Sequence, residues 1–201
     1  HLLYRCRNAP HLLPYAIFLT AALIAAMGAG YYTVLAFMAP ITLMLCEKTR
    51  MSLIIGAMSV NYGALGGANF VSSQSGIIFR SLMVNSGVTE EVAFINSFGI
   101  FASTMLIPLI VITVLVFFTG HRKAMQGASL AVSLPTPFNQ QQKTTLWLTV
   151  LMMVLVLLAP IAHLIFPDSA TATFINSKID IGLIASVFSV IGLLLKLGDE
   201  R

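Results

Sequence analysis

From Ala21 to Leu45 the chain reads AALIAAMGAGYYTVLAFMAPITLML, apolar throughout but interrupted by Gly28-Ala29-Gly30. The arms on either side, Pro14 to Met27 and Thr33 to Cys46, hold roughly 14 residues each, whereas crossing a bilayer core takes about 20. As one straight helix the whole segment rises about 50 Å, too long for the same bilayer. The pattern therefore predicts a hairpin over residues 14–46 that turns at the glycines and leaves on the face it entered. Non-helical backbone at membrane depth persists only where protein or a water-filled cavity covers it. The tip is thus a candidate solute site.

A polar clip, Glu47-Lys48-Thr49-Arg50, separates the hairpin from a second apolar stretch, Met51 to Leu65, rich in small residues. That stretch stops at Gly66-Gly67-Ala68-Asn69-Phe70-Val71-Ser72-Ser73-Gln74-Ser75-Gly76, and a short apolar helix, Ile77 to Val84, resumes after it. Residues 51–84 are expected to form a second broken element, two half-helices flanking a Gly/Ser/Asn loop. Residues 92–118 are long enough to cross with tilt. Residues 121–144, with Pro135, Pro137 and Gln140 to Gln142, read as an exposed linker. Spans over 145–166 and 181–197 follow, separated by a loop from Pro167 to Asp180.

Composition agrees with these elements. The chain is 58% hydrophobic and 9% charged, with mean hydropathy +0.92, against about 25% charged residues in soluble domains. An all-α polytopic membrane protein is expected. The formal net charge of +4 bears on orientation. Arg5, Arg7, Lys48, Arg50, Arg122, Lys123, Lys143, Lys196 and Arg201 fall on one side of the layout. Glu90, Glu91, Asp168 and Asp180 fall on the other, with Lys178. The basic side is the cytoplasm, so the hairpin opens from there and the chain is placed in the cell inner (plasma) membrane, multi-pass. Two full crossings by the hairpin leave the same sides, so arm length rather than charge separates the two topologies. The 11 Lys and Arg are spread over loops, which argues against nucleic acid as a partner. Cys6 and Cys46 have no metal-ligand spacing and read as free thiols in a reducing compartment. The opening HLLYRCRNAPHLLPY reads as an interior loop and LLLKLGDER runs straight out of a span, so the chain is expected to be a fragment of a longer protein.

Two stretches carry candidate chemistry. At the tip, Gly28 and Gly30 permit a tight turn, and helix ends leave N–H and C=O groups unpaired. The amide end favours an anion and the carbonyl end a cation, while Tyr31, Tyr32 and Thr33 add hydroxyls. The alternative is a packed glycine kink in an ordinary transmembrane helix. In the second break, Gly66, Gly67, Asn69, Ser72, Ser73 and Ser75 offer neutral donors and acceptors. Neutral oxygens suit a Na⁺ ion near Gly66 to Asn69, and serine and asparagine donors suit a carboxylate. The alternative is a plain extramembrane loop. Arg80, inside the apolar run IIFRSLMV, is either an anion partner or a cation snorkelling to the outer interface beside Asn85, Glu90 and Glu91. His163 reads as interfacial. No GxSxG, HExxH or strand-linked GxGxxG is present, and no enzyme activity is expected. No cofactor is expected apart from a Na⁺ coupling ion.

Met38 to Ile41 (MAPI) after the small-residue tip, and GALGGANFVSSQSGII over Gly63 to Ile78, resemble the dicarboxylate carriers of the malonate-carrier type. That family is related to the divalent anion/sodium symporters. The linker end Pro137-Phe138-Asn139-Gln140-Gln141-Gln142-Lys143 is also similar to that group. The resemblance implies two inverted repeats, each with a re-entrant hairpin and a broken helix whose tip and loop together bind Na⁺ and a substrate carboxylate. On that basis residues 1–120 form the first repeat, residues 121–144 a cytoplasmic linker and residues 145–201 the start of the second repeat. Where the symporters' tip reads Ser-Asn-Thr, this chain has Gly30-Tyr31-Tyr32. The resemblance implies cation-coupled, alternating-access transport of malonate or a C4-dicarboxylate. The open alternatives are a carrier of another organic anion, such as citrate or gluconate, and a non-transporting membrane assembly subunit. Expected partners are a small dicarboxylate and the lipid bilayer, with a homo-oligomer left open.

Overall fold

The computed structural model describes residues 10–118, 137–166, 169 and 181–197. Cys6, most of the linker and the loop over 170–180 lie outside the described residues. Among the described residues every regular element is helical. The chain divides into two compact units, residues 1–135 and 136–201.

The first unit opens with a short 3-10 turn, Pro10–Leu12, and α1, Leu13–Ile24. The helix continues as a wider π turn, Ala25–Ala29, which breaks at Gly28 with φ +99° and ψ 3°. Gly30 follows at φ +76° and ψ 154°. Side chains rarely tolerate either conformation, so the two glycines make the reversal. The return arm is α2, Tyr31–Thr49. It ends at Arg50, which is left-handed and donates its N–H to Cys46 O. Next come α3, Leu53–Ala68, then α4, Gln74–Asn85, and α5, Glu90–Phe118.

Small residues set how these helices pack. A Cβ placed on Gly63 would sit 2.3 Å from Phe18 O, and one on Gly67 would sit 2.0 Å from Ala22 O. The contacts advance together by four residues, so α1 and α3 run parallel with their backbones touching, as small-xxx-small pairs allow. On α2 the order is reversed. Tyr31 reaches Asn61, while Thr42 and Cys46 lie against Gly56. Hence α2 is antiparallel to α3 and to α1, and the two arms form a hairpin held on α3. Both arms are longer than the pattern predicts. The stretch Leu13–Ala29 forms one arm, and α2 has 19 residues because polar Glu47 to Thr49 continue the helix beyond its apolar part.

The second broken element runs beside α5. Gly66 faces Thr104 and Met105, Phe70 packs edge-on to Phe101 with ring centroids 5.1 Å apart, and Arg80 meets Glu90. Residue numbers fall along α5 as they rise through α3 and α4. The two half-helices therefore lie end to end and antiparallel to α5. With 29 residues, α5 rises about 44 Å, and the break lies level with its middle. Phe18, Ile55, Ile112 and Val116 form one buried cluster between α1, α3 and α5.

The second unit contains α6, Gln140–Ile165, and α7, Ile181–Leu194, which contact each other. Residues 140–144, placed in the exposed linker by the sequence pattern, are helical and form the first turn of α6. Asn139 and Gln142 form a reciprocal capping box, which satisfies the first amides and starts the helix early. Two described helices, Glu90–Phe118 and Gln140–Leu158, are long and apolar enough to cross a membrane. Only 17% and 6% of their apolar windows are buried, unlike the core helix of a soluble protein.

Candidate functional site

The hairpin tip and the second break lie side by side. The first ladder bond of α2 runs from Val34 N–H to Gly30 O at 3.2 Å. The amides of Tyr31, Tyr32 and Thr33 therefore precede the ladder. The same happens in α4, where Ile77 N–H donates to Ser73 O at 3.0 Å and the amides of Gln74, Ser75 and Gly76 come before it. These two helix starts meet: a Cβ on Gly30 would lie 3.5 Å from Gln74 Oε1. Each start carries partial positive charge and favours an anion by about 0.3–1 kcal/mol, more where partly buried.

Ser73 ties the two breaks together. It is buried, and its hydroxyl lies 3.3 Å from Ala25 O, 3.1 Å from Ala26 O and 3.1 Å from Gly67 O. A hydroxyl has one proton to donate, yet three carbonyl oxygens from two elements surround it. The π turn is what directs the Ala25 and Ala26 carbonyls at Ser73. The result is a buried, uncharged cluster of oxygens where the two breaks meet.

The residues singled out in the sequence do not all fall together. Gly28 turns the chain from an exposed position with nothing within 4 Å of its Cβ site, whereas Gly30 and Ser73 sit at the junction of the two breaks. Asn69 is buried there as the C-cap of α3, and Ser72 and Ser75 are half-buried beside it. Thr33 is exposed in the first turn of α2. Gly66 and Gly67 are not in a loop, since α3 continues through Ala68 and the break is confined to Asn69 to Ser73. Close packing explains them: a Cβ on Gly66 would meet Met105 Sδ at 2.7 Å, and one on Gly67 would meet the Ala22 backbone. Arg80 is occupied within the chain. Its guanidinium pairs with Glu90 and lies 5.4 Å from the Phe94 ring centre.

Sequence reasoning did not single out four groups at the junction: the carbonyls of Ala25 and Ala26, the side chain of Gln74, and Asn61. The last accepts a hydrogen bond from the Tyr31 hydroxyl at 2.6 Å, so that hydroxyl faces the protein. An amide alone in an apolar helix seeks a partner on a neighbouring helix, and that was the available signal for Asn61. Of the two cysteines, Cys46 is buried with a free thiol.

Residues 1–68 match the family model of the dicarboxylate carrier protein MatC N-terminus. The match covers both arms, the tip and α3, and ends one residue before the break. It supports the malonate-carrier-type resemblance over about a third of the chain (68 of 201 residues). No curated protein and no solved structure matches the chain.

Proposed function

We propose that this chain carries the first repeat of a secondary active transporter of small dicarboxylates, malonate or a C4-dicarboxylate, in the cell inner membrane. The carrier-family match over residues 1–68 supports transport rather than catalysis. The observation that carries the site is the contact of Ser73 with Ala25, Ala26 and Gly67, which joins two breaks far apart in sequence.

The hairpin is a re-entrant element in this reading. Its tip packs against a break level with the middle of α5, a helix of spanning length. If α5 crosses the bilayer, the tip ends near the midplane and the arms return to the basic face. A substrate carboxylate docks where the amides of Tyr31 to Thr33 approach those of Gln74 to Gly76. A Na⁺ ion sits among the carbonyls around Ser73 and neutralises part of the substrate charge. Coupling follows from shared walls, because the hairpin tip contributes to both positions. Alternating access then moves the hairpin and broken helix as one body around a midplane site.

The test is uptake of labelled malonate or succinate by the complete protein in proteoliposomes, with and without an inward Na⁺ gradient. Saturable uptake that the gradient accelerates is expected. Absence of dicarboxylate uptake in both conditions rejects the assignment.

A further inference from the structure

Between α2 and α3 lies an open groove of about 540 Å³, lined by Leu35, Ala39, Leu43, Leu53, Ala57 and Val60, with Asn61 at its tip end. The groove lies on the outer side of the contact; on the inner side Val34 and Met38 of α2 are buried in one core cluster with Val60 and Ala64 of α3. The arm is therefore held on α3 by apolar packing along its inner face, to which polar ties add at its two ends. At the base, Cys46, Thr42 and Met51 close on Gly56. At the tip, the polar fastening is the Tyr31 hydroxyl donating to Asn61 Oδ1 at 2.6 Å. Both residues are half-buried, and the bond links residue 31, the first of α2, to the interior of α3. Gly30, one residue earlier, is the position that faces Gln74 across the junction.

We propose that Asn61 is a positioning residue: by accepting the Tyr31 hydroxyl it holds the hairpin tip against the second break in the substrate-binding arrangement. This rests on the carrier reading above. It also accounts for a bulky phenol next to a tip glycine, since only a long side chain spans from α2 to Asn61. Without the bond, the start of α2 loses its polar tie to α3 and the tip is less firmly held in register with the second break. The binding-competent fraction then falls, and the apparent affinity falls in proportion. Saturating substrate pulls the population back, so the maximal rate is kept.

The experiment uses the complete protein in proteoliposomes with Tyr31→Phe, Asn61→Leu and the double variant. Each single change is expected to raise the KM for dicarboxylate by about 3- to 20-fold, the range of measured interhelical hydrogen bonds in membranes. The maximal rate should stay within about twofold of wild type. The double variant should rise no further than the singles, because one bond is lost once. An unchanged KM, or single effects that multiply in the double variant, overturns the proposal. So does a lower maximal rate at unchanged KM, which signals only less folded protein. Hydrogen exchange over residues 25–33 separates this idea from the transport assignment. It must speed up in both single variants even if wild type proves not to carry dicarboxylates, and unchanged exchange overturns the proposal.

Discussion

Gly67→Ala is expected to destabilise the first unit although alanine is the better helix former. A Cβ at Gly67 falls 2.0 Å from Ala22 O, 2.7 Å from Ala22 C and 2.8 Å from Ala22 Cα. All three are backbone atoms, so no change of rotamer relieves the clash. Reaching even 3.0 Å from the oxygen requires α1 and α3 to part by about 1 Å (3.0 − 2.0). A gap of about 0.5–1 Å forfeits a quarter to a half of each dispersion contact along the interface. Overpacking of this kind costs about 1–3 kcal/mol, against a propensity gain of about 1 kcal/mol for replacing glycine within a helix. The net loss is up to about 2 kcal/mol. Gly99 is the control: it also lies within a helix, but nothing approaches its Cβ position within 4 Å. Gly99→Ala therefore keeps the propensity gain alone. For a chain of this size about 1 kcal/mol moves the melting temperature by about 2–4 °C. Thermal unfolding in one detergent, followed by circular dichroism, should place Gly67→Ala up to several degrees below wild type and Gly99→Ala at or above it. Gly67→Ala melting at or above wild type refutes the packing argument, as does an equal fall for Gly99→Ala.

Two further outcomes follow from the geometry. Ser73→Ala removes the one proton and the one hydroxyl oxygen among three carbonyls; the Na⁺ concentration for half-maximal uptake should rise about 5- to 30-fold, the equivalent of about 1–2 kcal/mol, and an unchanged Na⁺ dependence removes the ion from that cluster. Asn139→Ala deletes the capping box of α6 and should cost about 0.5–2 kcal/mol locally; amide exchange at Gln141 to Lys143 should accelerate while amides beyond Leu151 keep their wild-type rates.

Arg80 shows how a single residue is read differently once its neighbours are known. An arginine within an apolar run has two plausible uses, and the run does not say which. In the folded chain Glu90 comes back alongside it after the turn at Gly87, and the Phe94 ring covers it. The capping box at Asn139 is the opposite case. Its Asn-x-x-Gln spacing resembles a standard helix start, but the prolines and the glutamine run before the next span read more strongly as linker.

The pattern of apolar blocks and their interruptions was enough to determine the helical character of the chain, the hairpin turn at Gly28 and Gly30, and a second interruption within Gly66 to Gly76, though not the helix ends. Lipid-compatible stretches must pair their backbone internally, and glycine is cheap where φ turns positive. What each glycine is for was decided only in three dimensions. Gly28 and Gly30 turn the chain, whereas Gly63, Gly66 and Gly67 stay helical so that neighbouring helices can touch. Local propensity treats all five alike, and only the approach of Phe18, Ala22 and Met105 tells them apart. The meeting of the two breaks at Ser73, and the bond between Tyr31 and Asn61, likewise depend on the parallel packing of α1 with α3. No local pattern encodes that packing, because it is a property of the two surfaces together.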